Sequence, residues 1–202
     1  GRRFSKRRKP REGSNVYPRA FEYQKANSVQ EAIQALQGND DAKIIAGGHS
    51  LLPVMKLRLA SPSLLVDISK IAELKNVSVN GGATIGAGVT YNDLLANDQI
   101  KASYPVLYEC VAKVGDVQVR NRGTIGGAAA HADPAADVPA ALLALDAQFT
   151  AVGPNGERTI AADDFFVDIL TTALEPDEVL TSINLGAPAP KSAYEKFAHP
   201  AS

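Results

Sequence analysis

Two glycine pairs, about eighty residues apart, constrain this chain more than any other feature. The first lies in IIAGGHSLLPVMKLR, residues 44–58, and the second in RNRGTIGGAAA, residues 120–130. A glycine pair removes two Cβ atoms, opens the main chain to a ligand and permits φ > 0. A helix starting near Ser50 adds unpaired N–H groups and the positive end of its dipole. A phosphate or diphosphate suits that combination, and a plain turn with a helix cap is the competing reading. Neither G-x-G-x-x-G nor G-x-x-x-x-G-K-[ST] is present, so neither a dinucleotide fingerprint nor a P-loop is implied. The second pair brings the Thr124 hydroxyl, with Asp137 beyond it at the start of a further helix. Two anion-sized nests in one chain point to one extended ligand held from two sides.

The surrounding pattern mixes helices and strands. Ser28 and Glu31 are spaced as a capping box for a helix over 29–37, with Ala32, Ile33 and Leu36 on one face and Gly38 to stop it. Short strands at 20–23 and 43–46 flank it, which predicts a βαβ unit. Leu51, Met55 and Leu59 are spaced for a helix with Pro53 in its first turn, and residues 64–68 read as another strand. Asn80-Gly81-Gly82 predicts a hairpin between strands 77–79 and 84–87. Helices follow from Thr90 to Leu95, over 104–114 and over 137–145. A hairpin crosses residues 153–156, and 179–185 is a late strand. The expected organisation is a basic extension (1–16), a βαβ subdomain with the first loop (17–74), a second α+β subdomain with the second loop (75–187), and the start of a further domain (188–202).

Composition narrows the function. At 202 residues and 45% hydrophobic, the chain can bury one sizeable core or two lobes sharing one. Cys110 is the only cysteine, which rules out a disulfide within the chain and a cysteine-ligated iron–sulfur cluster, and fits a reducing, cytoplasmic location. No apolar run approaches the roughly 18–20 residues of a membrane span, so no integral membrane segment is expected. Residues 1–19 carry eight Lys/Arg against one Glu, while the other 183 carry 13 bases against 21 acids. The basic tail reads as a disordered leader. The acidic body offers no basic face to extend it, so nucleic acid is not an expected partner.

Other constellations are weak. His131 and Asp133 lack a third ligand, so no metal site is expected. Ser50 lacks the G-x-S-x-G context of a hydrolase, and Cys110 sits among apolar residues as an inert core thiol. His49 is read either as a phosphate contact or as a helix cap, and Asp133 as a turn former. No catalytic acid–base residue is assigned.

The stretches AGGHSLLPVMKLR (46–58), TIGG (124–127) and HADPAAD (131–137) together resemble the FAD-binding medium subunit of molybdenum hydroxylases, the xanthine dehydrogenase and aerobic carbon-monoxide dehydrogenase family. The resemblance runs from about Tyr17 to the end. It implies an α+β fold of the vanillyl-alcohol oxidase and p-cresol methylhydroxylase type, with two α/β subdomains and the family's C-terminal domain truncated. It also implies FAD as cofactor. Ile44, Ile45, Ala46, Gly47, Gly48, His49, Ser50 and Leu51 would wrap the diphosphate through main-chain N–H groups. Gly123, Thr124, Ile125, Gly126, Gly127 and Ala128 would close on the other side, with Ala128 standing where the family motif often has asparagine. Val114 matches a position that packs on the flavin, and Asp137 one that binds the adenosine side through a ribose hydroxyl. Leu180 and Lys196 match contacts near the ring system, the lysine at the N1–C2=O edge.

The implied function is electron transfer. An iron–sulfur small subunit would deliver electrons from a molybdenum-binding large subunit, and NAD, a quinone or oxygen would accept them. Carbon-monoxide oxidation is the favoured reaction of the whole complex, with aldehyde, xanthine or N-heterocycle oxidation as alternatives. A flavin-less anion-binding or assembly module is the reading from a different class.

Overall fold

The Ser28 hydroxyl turns the chain into its first helix by accepting from the Glu31 N–H at 3.1 Å, while the Glu31 carboxylate accepts from the Asn27 N–H at 2.8 Å. The first bond satisfies a donor that the first helical turn leaves open, and the second ties down the residue before the cap. The computed structural model describes residues 17–197; the basic extension at 1–16 and the stretch 198–202, with His199, lie outside them. Strand β1 (Glu22–Lys25), helix α1 (Val29–Gln37), strand β2 (Ala42–Ile45), helix α2 (Leu51–Lys56) and strand β3 (Leu64–Asp67) come first. The strands pair in parallel in the order β1-β3-β2. Central β3 buries Leu64, Leu65 and Val66, and α1 lays Ala32, Ile33 and Leu36 against this layer. A continuous apolar triplet is what a strand flanked on both sides requires.

After a 3₁₀ turn at Ala72–Lys75, the second part runs through β4 (Val77–Val79), β5 (Ala83–Gly86), α3 (Tyr91–Leu95), α4 (Asp98–Ser103) and α5 (Pro105–Ala112). It continues with α6 (Val117–Arg122), α7 (Ile125–His131), α8 (Asp137–Ala144), β6 (Gln148–Gly153), β7 (Gly156–Ala161) and α9 (Ala162–Phe165). A small hairpin, β8 (Phe166–Asp168) with β9 (Thr171–Thr172), precedes the long strand β10 (Val179–Leu185). Five strands form an antiparallel sheet in the order β4-β5-β10-β6-β7. Its core joins Leu94, Leu107, Val111 and Leu142 from the helices to Phe149, Phe165 and Ile183. Val179, at the start of β10, belongs instead to the core under the parallel sheet, so that strand ties the two layers together. Downstream, the chain lies along α4 and α5: Ala189 N–H donates to Ser103 O at 2.8 Å and Tyr194 N–H to Glu109 Oε2 at 2.9 Å.

Helices α4 and α6 are among those that escape the sequence pattern. Asn97 caps α4 by accepting from Gln99 N and Ile100 N, both at 3.0 Å, and Asp116 caps α6 by accepting from Val119 N at 2.9 Å. Helix α6 has no fully buried residue, so it leaves no apolar period to read. Among the described residues, no helix is long and apolar enough to cross a membrane.

One ion pair pins the loop before β10. Arg158 Nε and Nη2 donate to the Glu178 carboxylate at 2.7 and 2.8 Å, and a second Nη2 bond reaches Ala173 O at 2.6 Å. The hydrogen bonds from Arg158 hold the Glu178 carboxyl below its ordinary range. That stabilisation is full above the ordinary carboxylate value and is lost as pH falls through the depressed one. Glu178→Gln is therefore expected to cost about 1 kcal/mol, discounted for the partly exposed arginine. Thermal unfolding at neutral pH checks this, and the gap between variant and parent should close in acid.

Candidate binding cleft

A cleft of about 600 Å³ opens beside the first glycine pair. Residues 43–51 form one wall, and Gly123, Thr124 and residues 126–128 with Val114 and Val119 form the opposite one. Leu170, Leu174, Glu178, Val179 and Leu180 close a third side. All the residues expected to bind a ligand line it except Ile125, Asp137 and Lys196. The volume is ordinary for a cofactor-sized ligand.

The two glycines of the first pair are there for different reasons. A Cβ on Gly47 would sit 2.1 Å from Arg122 O and 2.7 Å from its carbonyl carbon, so the residue is bare because the opposite wall's backbone presses on it. Gly48 has φ +78°, a conformation glycine adopts without steric cost. The turn leaves the main-chain N–H groups of Gly47, Gly48, His49 and Ser50 without a protein acceptor among the described residues. Ser50 makes no side-chain cap to α2, and His49 is exposed at the mouth. This wall is a row of unspent donors.

The second pair is not a nest. Gly126 and Gly127 lie inside helix α7, and the donors around them are already spent: Ile125 N–H on Val89 O at 3.0 Å, Gly126 N–H on Ala87 O at 3.0 Å, and Gly127 N–H on Thr124 Oγ1 at 3.0 Å. Gly126 is bare because a Cβ there would meet the Ala87 Cβ at 2.4 Å. The Thr124 hydroxyl serves as the helix cap, and Ile125 points fully into the core, off the cleft. The second stretch therefore supplies a close-packed wall, while donation falls to the first.

Asp137 and Lys196 meet each other. Lys196 Nζ donates to Asp137 Oδ2 at 2.9 Å and Tyr194 O–H donates to Asp137 Oδ1 at 2.5 Å. Lys196 also donates to Lys113 O at 3.3 Å, next to cleft-lining Val114. The family resemblance assigns this acid and this lysine to opposite ends of an extended ligand; a 2.9 Å pair sits at one end. Cys110 is fully buried beside them, and burial, with the nearby Asp137 charge, pushes its thiol up to about 12. It stays protonated and inert at neutral pH. Asp133 accepts from Ala135 N–H at 2.9 Å as a turn former, and both it and His131 line the cleft. Among the described residues, no cluster of three His, Cys, Asp or Glu could hold a metal ion.

Several lining residues are invisible to sequence reasoning. Tyr91, Leu170 and Leu174 belong to α3 and to the β8–β9 region, far in sequence from either glycine pair, and Val119 belongs to α6, which has no buried residue to mark it. The one available signal for Tyr91 is Thr90, which caps α3 with Asp93 and also bridges to Thr124.

Comparison with known proteins agrees with this geometry. Residues 19–188 match the family model described as the FAD binding domain in molybdopterin dehydrogenase. The chain is 47% identical over 186 residues to the carbon monoxide dehydrogenase medium chain of Hydrogenophaga pseudoflava, covering 90% of this chain and 65% of that one. It is 43% identical over 171 residues to the glyceraldehyde dehydrogenase medium chain of Sulfolobus acidocaldarius, covering 84% and 61%. The solved structure of carbon monoxide dehydrogenase from Hydrogenophaga pseudoflava superposes with a TM-score of 0.83 at 46% identity, over 86% of this chain and 61% of that one. The chain thus spans less than two thirds of the length of these relatives. With a capped α+β frame, a donor-lined cleft and a family match over most of its length, this chain belongs to the FAD-binding domain family of molybdopterin dehydrogenases.

Proposed function

We propose that the cleft holds FAD and that the chain serves as the electron-transferring medium subunit of a molybdenum hydroxylase. The observation that carries this reading is the row of unspent N–H groups from Gly47 to Ser50 at the edge of a largely apolar cleft. Such a row suits the oxygens of a diphosphate. Ile45, Val114, Leu170, Leu174 and Leu180 offer apolar walls to a planar ring and keep water from it. Bound FAD would supply a redox centre between an electron donor and an acceptor. The chain's own task is to bind, orient and shield that group; the Lys196–Asp137 pair beside Val114 adds a local charge distribution at one end.

The partners proposed are an iron–sulfur small subunit and a molybdenum-binding large subunit, with NAD, a quinone or oxygen as final acceptor. Carbon-monoxide oxidation is the reading for the whole complex, supported by the 47% identity to a carbon monoxide dehydrogenase medium chain. Aldehyde oxidation is the second, supported by the 43% identity to a glyceraldehyde dehydrogenase medium chain. FAD added to the purified chain is expected to be retained through gel filtration with its visible bands perturbed. A chain that elutes colourless at micromolar FAD, where a cofactor site should be filled, sinks the proposal and favours the assembly-module alternative.

A further inference from the structure

Tyr91 is the first residue of α3 and is 6% exposed. One edge of its ring packs against the second wall so tightly that a Cβ on Gly123 would meet Tyr91 Cε2 at 2.7 Å. The hydroxyl nevertheless has no hydrogen-bond partner among the described residues, although Cys110 and Asp137 are near enough to act on it electrostatically. Both Asp137 oxygens are already taken, by Tyr194 and Lys196. Every side-chain polar atom fully shut off from solvent does have a partner among the described residues. The Tyr91 hydroxyl must therefore keep a small opening, and the cleft is the cavity this residue lines. An unpaired phenol on an otherwise buried side chain is costly to retain unless something else completes it.

We infer that Tyr91 is a cofactor-contacting residue whose hydroxyl donates a hydrogen bond to an acceptor on the flavin ring at the Val114 end of the cleft. This rests on the FAD reading above. Val114 and the Lys113 carbonyl that binds Lys196 lie at that end, and Tyr91 senses Asp137 there, so the hydroxyl and the ion pair share one neighbourhood. Burial and the neighbouring thiol and carboxylate push the phenol up from its ordinary value, so it remains an O–H donor at neutral pH. Gly123 has no Cβ because the ring lies there, which makes the ring's position independent of the ligand.

The test is Tyr91→Phe, which removes the hydroxyl and keeps the ring against Gly123. FAD affinity is expected to fall roughly 5- to 30-fold, the scale of one buried hydrogen bond lost to a ligand. The visible bands of bound FAD should shift, because the removed donor faces the ring. The thermal midpoint of the FAD-free chain should not fall, because the hydroxyl has no protein partner to lose. Unaltered affinity together with unaltered bands overturns the inference, as does a lowered FAD-free midpoint that accounts for the weaker binding. If the parent chain itself takes up no FAD, the FAD reading fails first and this inference with it.

Discussion

Gly47→Ala is expected to weaken FAD binding sharply and to destabilise the chain more than any other single-methyl change in the cleft. The new Cβ would lie 2.1 Å from Arg122 O and 3.0 Å from Gly123 Cα, and both of these are backbone. Neither can swing aside as a side-chain tip could, so the walls must separate. Overpacking of this kind costs roughly 2–4 kcal/mol. For a chain of this size that is a fall in midpoint of about 5–15 °C. Moving the donor row off its geometry should weaken FAD by about 100-fold, corresponding to about 3 kcal/mol. Gly48→Ala is the control: its cost is the left-handed φ of +78° and a 3.1 Å approach to Leu52 Cδ1, the end of a flexible side chain. That totals about 1–2 kcal/mol. Calorimetry and FAD titration of both variants decide the matter. If the two glycines prove equally tolerant, the walls do not press on each other at Gly47 and the account of the cleft is wrong.

The second large effect lies beneath the cleft. Phe149 on β6 is fully buried, stacks on Phe165 with ring centroids 3.9 Å apart, and meets Phe166 edge-on at 5.6 Å. Phe149→Ala should cost about 3–5 kcal/mol by lost burial and cavity formation. Strand β6 pairs with β10, whose Leu180 lines the cleft, so the same variant should also loosen FAD uptake. Urea unfolding measures the first part, with the midpoint moving and the slope unchanged. A loss below about 1 kcal/mol would mean that the aromatic stack lies outside the cooperative core.

Much of the frame was legible from local pattern. The limits of α1 follow from Ser28, Glu31 and Gly38, and β10 from the apolar positions Val179, Leu180, Ile183 and Leu185. The structure places strand β1 two residues later than the pattern suggests, because parallel pairing with β3 rather than local apolarity defines it. Helix α7 was hidden by its own sequence. Two glycines argue against a helix interior, by about 1 kcal/mol each relative to alanine. Here the Thr124 cap and the close approach of Ala87 outweigh that preference. The second stretch looked like a ligand nest because bare backbone reads the same whether a ligand or another strand of the same chain comes close.

What the sequence determined by itself is therefore local: which segments alternate or repeat with helical spacing, where caps stop them, and that a glycine-bearing turn at 46–50 precedes a helix. The family resemblance added which ligand such a turn would meet. Only the tertiary structure decided that Gly47 abuts Arg122, that Asp137 closes on Lys196 rather than standing free, and that Tyr91 lines the cleft. These contacts join segments far apart in the chain. Their positions follow from how the antiparallel sheet, through Val179 of β10, meets the core under the parallel sheet, and no periodicity within a single segment encodes that arrangement.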